Sequence, residues 1–111
     1  MNKDELSEIS MMIITFSGVA KSSALMAIEQ AEESKYIEAK LTLETARENL
    51  KKASSWHFKA LSEDNKNGLN LDVLFVHAED QFLTSENILI LSEKIIKIYE
   101  RLEQKEEKNG R

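Results

Sequence analysis

Cysteine is absent from the 111 residues, which excludes disulfides, thiolate nucleophiles and cysteine-built zinc sites. Proline is absent too, and glycine occurs only at Gly18, Gly68 and Gly110. With so few breakers, a chain rich in Ala, Leu, Ile, Glu and Lys is expected to form long helices. Positive charge is not in excess: the formal net charge is −5. Nucleic acids and anionic lipid both call for a basic face, so neither is an expected partner. No glycine-rich phosphate loop occurs, so the chain is not expected to bind ATP. Met1 to Glu5 lack a basic n-region, which argues against a signal peptide. The apolar run Met11 to Ala20 is interrupted by Thr15, Ser17 and Gly18, ends at Lys21, and reads as too short for a bilayer. A soluble, cytoplasmic, single-domain protein is expected.

What is present is helical periodicity. A first helix is expected over about 2–33, with apolar positions Leu6, Ile9, Ile13, Phe16, Ala20, Ala24, Ala27 and Ala31. Asn2 with Glu5 resembles a capping box. The alanine half of this stripe invites close approach by another helix, and Gly18 suggests a kink or a close contact. A second helix is expected over about 35–66. Tyr36, Ala39, Leu43, Ala46, Leu50, Ala53, His57 and Ala60 step by three and four, a heptad seam. Asn65 to Asn70, with Gly68, reads as a turn.

A third helix is expected over about 71–105, capped by Asn70 or Asp72. Its seam reads Leu74, Ala78, Gln81, Ser85, Ile88, Ser92, Ile95, Tyr99 and Leu102, but apolar residues also fall on the other faces. A helix apolar all round is buried on more than one side, so copies of this helix are expected to meet in an oligomer. Short loops make successive helices antiparallel. The expectation is an all-α, antiparallel three-helix bundle in one domain, 1–105, with a charged flexible tail at 106–111.

On the third helix, His77, Asp80, Thr84 and Asn87 form one polar stripe. Such residues in an apolar seam can simply fix the register of an oligomer. Alternatively, His77 is a nucleophile and Asp80 an orienting group or metal ligand. Neutral imidazole attacks phosphorus and leaves again readily, which suits reversible phosphoryl transfer. One histidine and one carboxylate do not make a metal site in a monomer, but on a symmetry axis one Asp per subunit gives a ring of ligands.

The run Val76-His77-Ala78-Glu79-Asp80-Gln81-Phe82-Leu83-Thr84 resembles the His-Ala-Gln-Asp-His-Leu-Met-Thr signature of lactose/cellobiose-type enzyme IIA proteins of the bacterial sugar phosphotransferase system. Gly18-Val19-Ala20-Lys21-Ser22, Ala31-Glu32 leading to Tyr36 and Ala39, and Ile98-Tyr99 resemble further family pieces, so the likeness covers about residues 8–103. The resemblance implies a phosphocarrier in which His77 carries the phosphoryl group. It implies that Asp80, three times over, binds one divalent metal, Mg²⁺ by ligand chemistry, on the axis of a homotrimer of nine helices. It also implies partners: the histidine-containing phosphocarrier protein as donor, a cysteine-bearing enzyme IIB as acceptor, and the membrane only indirectly through a IIC subunit. The sugar would be a β-glucoside or galactoside-type disaccharide of the lactose, cellobiose or chitobiose class.

The chain departs from the signature. Glu79 stands where the family has Gln, and a carboxylate beside an incoming phosphate either slows loading or points away. Gln81 replaces a His, and Thr84 completes the site's neighbours. The helix 2 run His-x-x-Gln-Thr is missing; Ala53-Ser54-Ser55-Trp56-His57 stands there, and His57 reads as a satisfied seam histidine. Trp56 and Phe58 read as core or interface aromatics, and Met11, Met12 and Met26 as packing. The rival function is a non-catalytic or regulatory helical assembly that retains the fold, and a third is a plain coiled-coil adaptor.

Overall fold

The computed structural model describes residues 1–64 and 72–109, which form three helices and no strand. Helix α1 spans Lys3–Glu32, α2 spans Tyr36–Asp64 and α3 spans Val73–Lys108. The turn expected at 65–70, with Gly68 and the alternative cap Asn70, and the ends expected at 66 and 71, lie outside the described residues.

Local chemistry sets the helix ends. Asn2 caps α1: its side-chain oxygen accepts from the Glu5 N–H at 2.8 Å, and its amide donates to the Glu5 carboxylate at 2.9 Å. At the other end Ser34 turns left-handed (φ 62°), the Ser34 N–H bonds the Ala31 carbonyl and the Lys35 N–H bonds the Gln30 carbonyl. This is a Schellman closure built without glycine. Asp72 caps α3, accepting from the Phe75 N–H at 2.7 Å. The flexible tail expected from residue 106 is instead helical to Lys108. Glu and Lys are good helix formers, and Lys105 and Lys108 in the last turn suit the negative end of the helix dipole.

Two apolar clusters fix the topology. At one end Leu6, Ile9 and Ile13 of α1 meet Ala53 and Ala60 of α2 and Phe75, Ala78 and Phe82 of α3. At the other, Ala24, Ala27 and Ala31 meet Ala39, Leu43 and Ala46, and then Leu89 and Ile96. The start of α1 therefore lies beside the end of α2 and the start of α3, an up-down-up bundle. It is a rod, 65 × 18 × 17 Å. The alanines expected on the seams of α1 and α2 are fully buried, apart from Ala31 at 1%.

Three expectations are corrected. The buried seam of α3 is Phe75, Ala78, Phe82, Ser85, Leu89, Ser92 and Ile96. Ala78, Ser85 and Ser92 agree with the spacing, but the second row lies one residue on from Leu74, Gln81, Ile88 and Ile95, because a helix apolar all round gives no phase to its pattern. Gly18 marks no close contact: a Cβ there would meet nothing within 4 Å, and α1 continues through it as helix. Met11, Met12 and Met26, expected as packing, face outward rather than into the core; Phe58 is exposed in the single chain, which leaves its interface reading, and Trp56 packs half-buried on the core.

By length and composition alone α1 is apolar enough to cross a bilayer. The Thr, Ser and Gly that interrupt Met11 to Ala20 weigh little against 30 residues of helix. Its main apolar stripe is nonetheless covered by α2 and α3.

Candidate functional site

His77 lies on the second turn of α3, and the rows it shares with neighbours follow from 100° per residue. Phe75, Ala78, Phe82 and Ser85 point into the bundle. His77, Asp80, Thr84 and Asn87 point out of it and are all exposed. The expected polar stripe is therefore a surface feature of the single chain. It runs between exposed apolar side chains, Val76 at 43%, Leu83 at 53%, Ile90 at 48% and Leu91 at 57%. An imidazole so placed is open to a partner's phosphoryl group. Gln81, one turn on from His77 and about 40° round the helix, is half-buried at the edge of this face.

Glu79 does not lie beside His77. Two residues on is 200° round the helix, nearly the opposite side. Its carboxylate is 2.9 Å from Nε2 of His57 on α2. The His57 ring stacks on Phe82 (centroids 5.3 Å apart, planes at 28°) and on Phe75 (6.0 Å, 11°). The seam histidine thus has its hydrogen-bond partner. Of the two outcomes expected for Glu79, the fold takes the second: it points away. The sequence reading missed the His57–Glu79 pair. The signal was there, since a histidine on the α2 seam near its end must meet the start of α3.

Asp80 offers hard carboxylate oxygens, the donor type that Mg²⁺ prefers. Among the described residues, however, no group of three or more His, Cys, Asp or Glu side chains could hold a metal within one chain. The single chain does not fit the ion; only Asp80 from several copies could.

The three-helix bundle thus presents a histidine and an aspartate one turn apart on an outer face, among exposed apolar side chains. The comparisons give this arrangement its class. The model of the family described as PTS system, Lactose/Cellobiose specific IIA subunit, matches residues 8–100. The N,N'-diacetylchitobiose-specific EIIA component of Escherichia coli K12 is 31% identical over 100 residues, covering 89% of this chain and 86% of that one. The crystal structure of the cellobiose-specific enzyme IIA from Bacillus anthracis superposes with TM-score 0.84 at 27% identity, over 95% of both chains. The IIA(Chitobiose) of Escherichia coli, solved in solution in complex with HPr, superposes with TM-score 0.80 at 28% identity, covering 88% of this chain and 96% of that one. The chain belongs to the lactose/cellobiose-specific IIA family, and is a phosphotransferase-system component.

Proposed function

We propose that this chain is a cytoplasmic phosphocarrier that takes a phosphoryl group onto His77 from the histidine-containing phosphocarrier protein and passes it to an enzyme IIB. The observation that carries the proposal is the position of His77: solvent-facing, within the family-matched region, and beside exposed Val76 and Leu83 that a partner protein can cover. The related chitobiose IIA forms a complex with HPr, which supports the same kind of donor here. In the transfer an imidazole nitrogen of His77 forms the new P–N bond as the donor's P–N bond breaks. The second transfer reverses the roles, with a thiolate of enzyme IIB attacking phosphorus and neutral imidazole leaving. On this reading the sugar is of the lactose, cellobiose or chitobiose class, which the relatives specific for lactose, chitobiose and cellobiose support.

The same reading includes a homotrimer built on α3. The exposed Leu83, Ile90, Leu91, Ile98 and Leu102 make a long apolar face that three copies would cover. Asp80 lies on that face, and three carboxylates brought together share protons or bind a cation. One Mg²⁺ per trimer would offset two of their three negative charges.

The test is reconstitution with phosphoenolpyruvate, enzyme I and the phosphocarrier protein, followed by mass measurement. An acid-labile phosphate is expected on the native chain and none on His77→Ala. Label persisting in His77→Ala sinks the assignment.

A further inference from the structure

We infer that His57 is the positioning residue of the phosphoryl site, holding the first turns of α3 so that His77 faces outward. The inference rests on the reading of His77 as acceptor. Helices α2 and α3 share the slimmest of the three helix–helix interfaces, so their relative rotation depends heavily on a few polar links. The ion pairs that cross it among the described residues include Arg47–Glu93 at 2.9 Å, Lys40–Glu100 at 3.3 Å and, third, His57–Glu79 at 2.9 Å. The side chains of Lys40 (63%) and Arg47 (44%) are more exposed than that of His57 (19%), and exposed pairs constrain little. Both lie more than four turns along α3 from His77.

Only the third link grips the His77 turn, and it grips it from the opposite side. Any rotation of α3 about its axis moves Glu79 and His77 together in opposite directions. From α2, three contacts resist that rotation, beside the packing of Phe75, Ala78 and Phe82 on α1. The imidazole is packed on Phe75 and Phe82, one turn below Glu79 and one turn above. The ring's position is therefore set by stacking and its remaining freedom by the hydrogen bond. A proton on Nε2 serves whether the ring is neutral or charged, because both forms can donate from that nitrogen to the carboxylate. His57 never needs to touch phosphate; it acts through the helix.

The experiment compares His57→Ala, His57→Gln, Glu79→Ala and the double variant His57→Ala/Glu79→Ala, with His77→Ala as control. The readouts are the rate of phosphoryl transfer from the phosphocarrier protein at saturating donor, the donor KM, and the ring resonances of His77 by NMR. In His57→Ala the rate is expected to fall roughly ten- to a hundredfold, the size of effect that a small misplacement produces. KM should stay put and the His77 ring signals should move. Glutamine can carry its amide N–H close to where Nε2 lies, so His57→Gln should recover most of the rate. Glu79→Ala should match His57→Ala, and the double variant should be no worse than either single, because all three break one link. If His57→Ala does not fold, Glu79→Ala and His57→Gln carry the same test. Native rates and unmoved His77 signals in the folded variants overturn the positioning role alone. Label surviving in His77→Ala overturns it together with the acceptor assignment.

Discussion

Ser17 is buried on α1 with a hydroxyl that meets no hydrogen-bond partner among the described residues, while its carbonyl accepts from Ser85 Oγ at 2.8 Å. The two halves of that residue have opposite energetic signs. The carbonyl contact is a cross-helix bond; the orphaned hydroxyl is a desolvated group with nothing in return. Ser17→Ala keeps the carbonyl and removes the hydroxyl, and alanine is the better helix former. It is expected to stabilise the fold by about 1 kcal/mol, read as a rise of several degrees in Tm at fixed protein concentration. Ser34 presents the other residue-scale case. Its left-handed φ of 62° strains any residue with a Cβ. Ser34→Gly removes the strain but adds freedom to the unfolded chain, and a net gain of roughly 0.5–1 kcal/mol is expected. A denaturant midpoint that falls in Ser34→Gly would show that the serine side chain contributes more than its backbone costs. For the candidate site, legibility ended at this scale. His77 and Asp80 could be read from their run of neighbours, whereas the place of His57 near the end of the α2 seam pointed to the start of α3 but not to Glu79 itself, because a hydrogen bond between residues 22 apart leaves no spacing rule behind.

At the scale of the element, legibility depended on how one-sided each helix is. On α2 the seam alternates with a strongly charged exterior, so spacing alone located Ala39, Ala46, Ala53 and Ala60, each at 0% exposure. On α3 apolar side chains surround the axis, and the pattern found one row and misplaced the other by a residue. The long apolar helix read as such only when an outer covering was allowed for. The alanine seams make a definite prediction. Ala46 packs where α1 approaches closely through Ala24 and Ala27. Ala46→Leu inserts volume into a gap that has none, so a loss of about 1–3 kcal/mol is expected, measured by urea unfolding followed through Trp56 fluorescence. A variant as stable as the native chain would mean that the helices can part at this level without cost.

At the scale of the whole molecule, the prediction concerns number of copies and metal. Light scattering at micromolar concentration is expected to give three times the chain mass, and a monomeric mass would refute the trimer. If Asp80 holds an ion on the proposed three-fold axis, metal analysis after dialysis is expected to give about one ion per three chains. Asp80→Asn should release the metal without dissolving the assembly. Asp80→Leu should assemble at least as tightly, because packing replaces a buried polar ring. An Asp80→Asn protein that still holds stoichiometric metal would place the ion elsewhere.

Two of the three helices repeat almost perfectly. On α3 the large residues Phe75, Phe82, Leu89 and Ile96 recur every seven positions, with Ala78, Ser85 and Ser92 between them. On α2 the alanines at 39, 46, 53 and 60 do the same. Two such ladders could slide by one heptad and meet almost as well as before. Helix α1 removes that ambiguity because it is tapered: Leu6, Ile9 and Ile13 at one end give way to Ala20, Ala24, Ala27 and Ala31 at the other. Slid by seven residues toward its alanine end, the wide part of the wedge would be forced into the narrow part of the slot; slid the other way, it would leave a void. The first helix is thus the ruler against which the other two are set, and it fixes the height at which His57 meets Glu79.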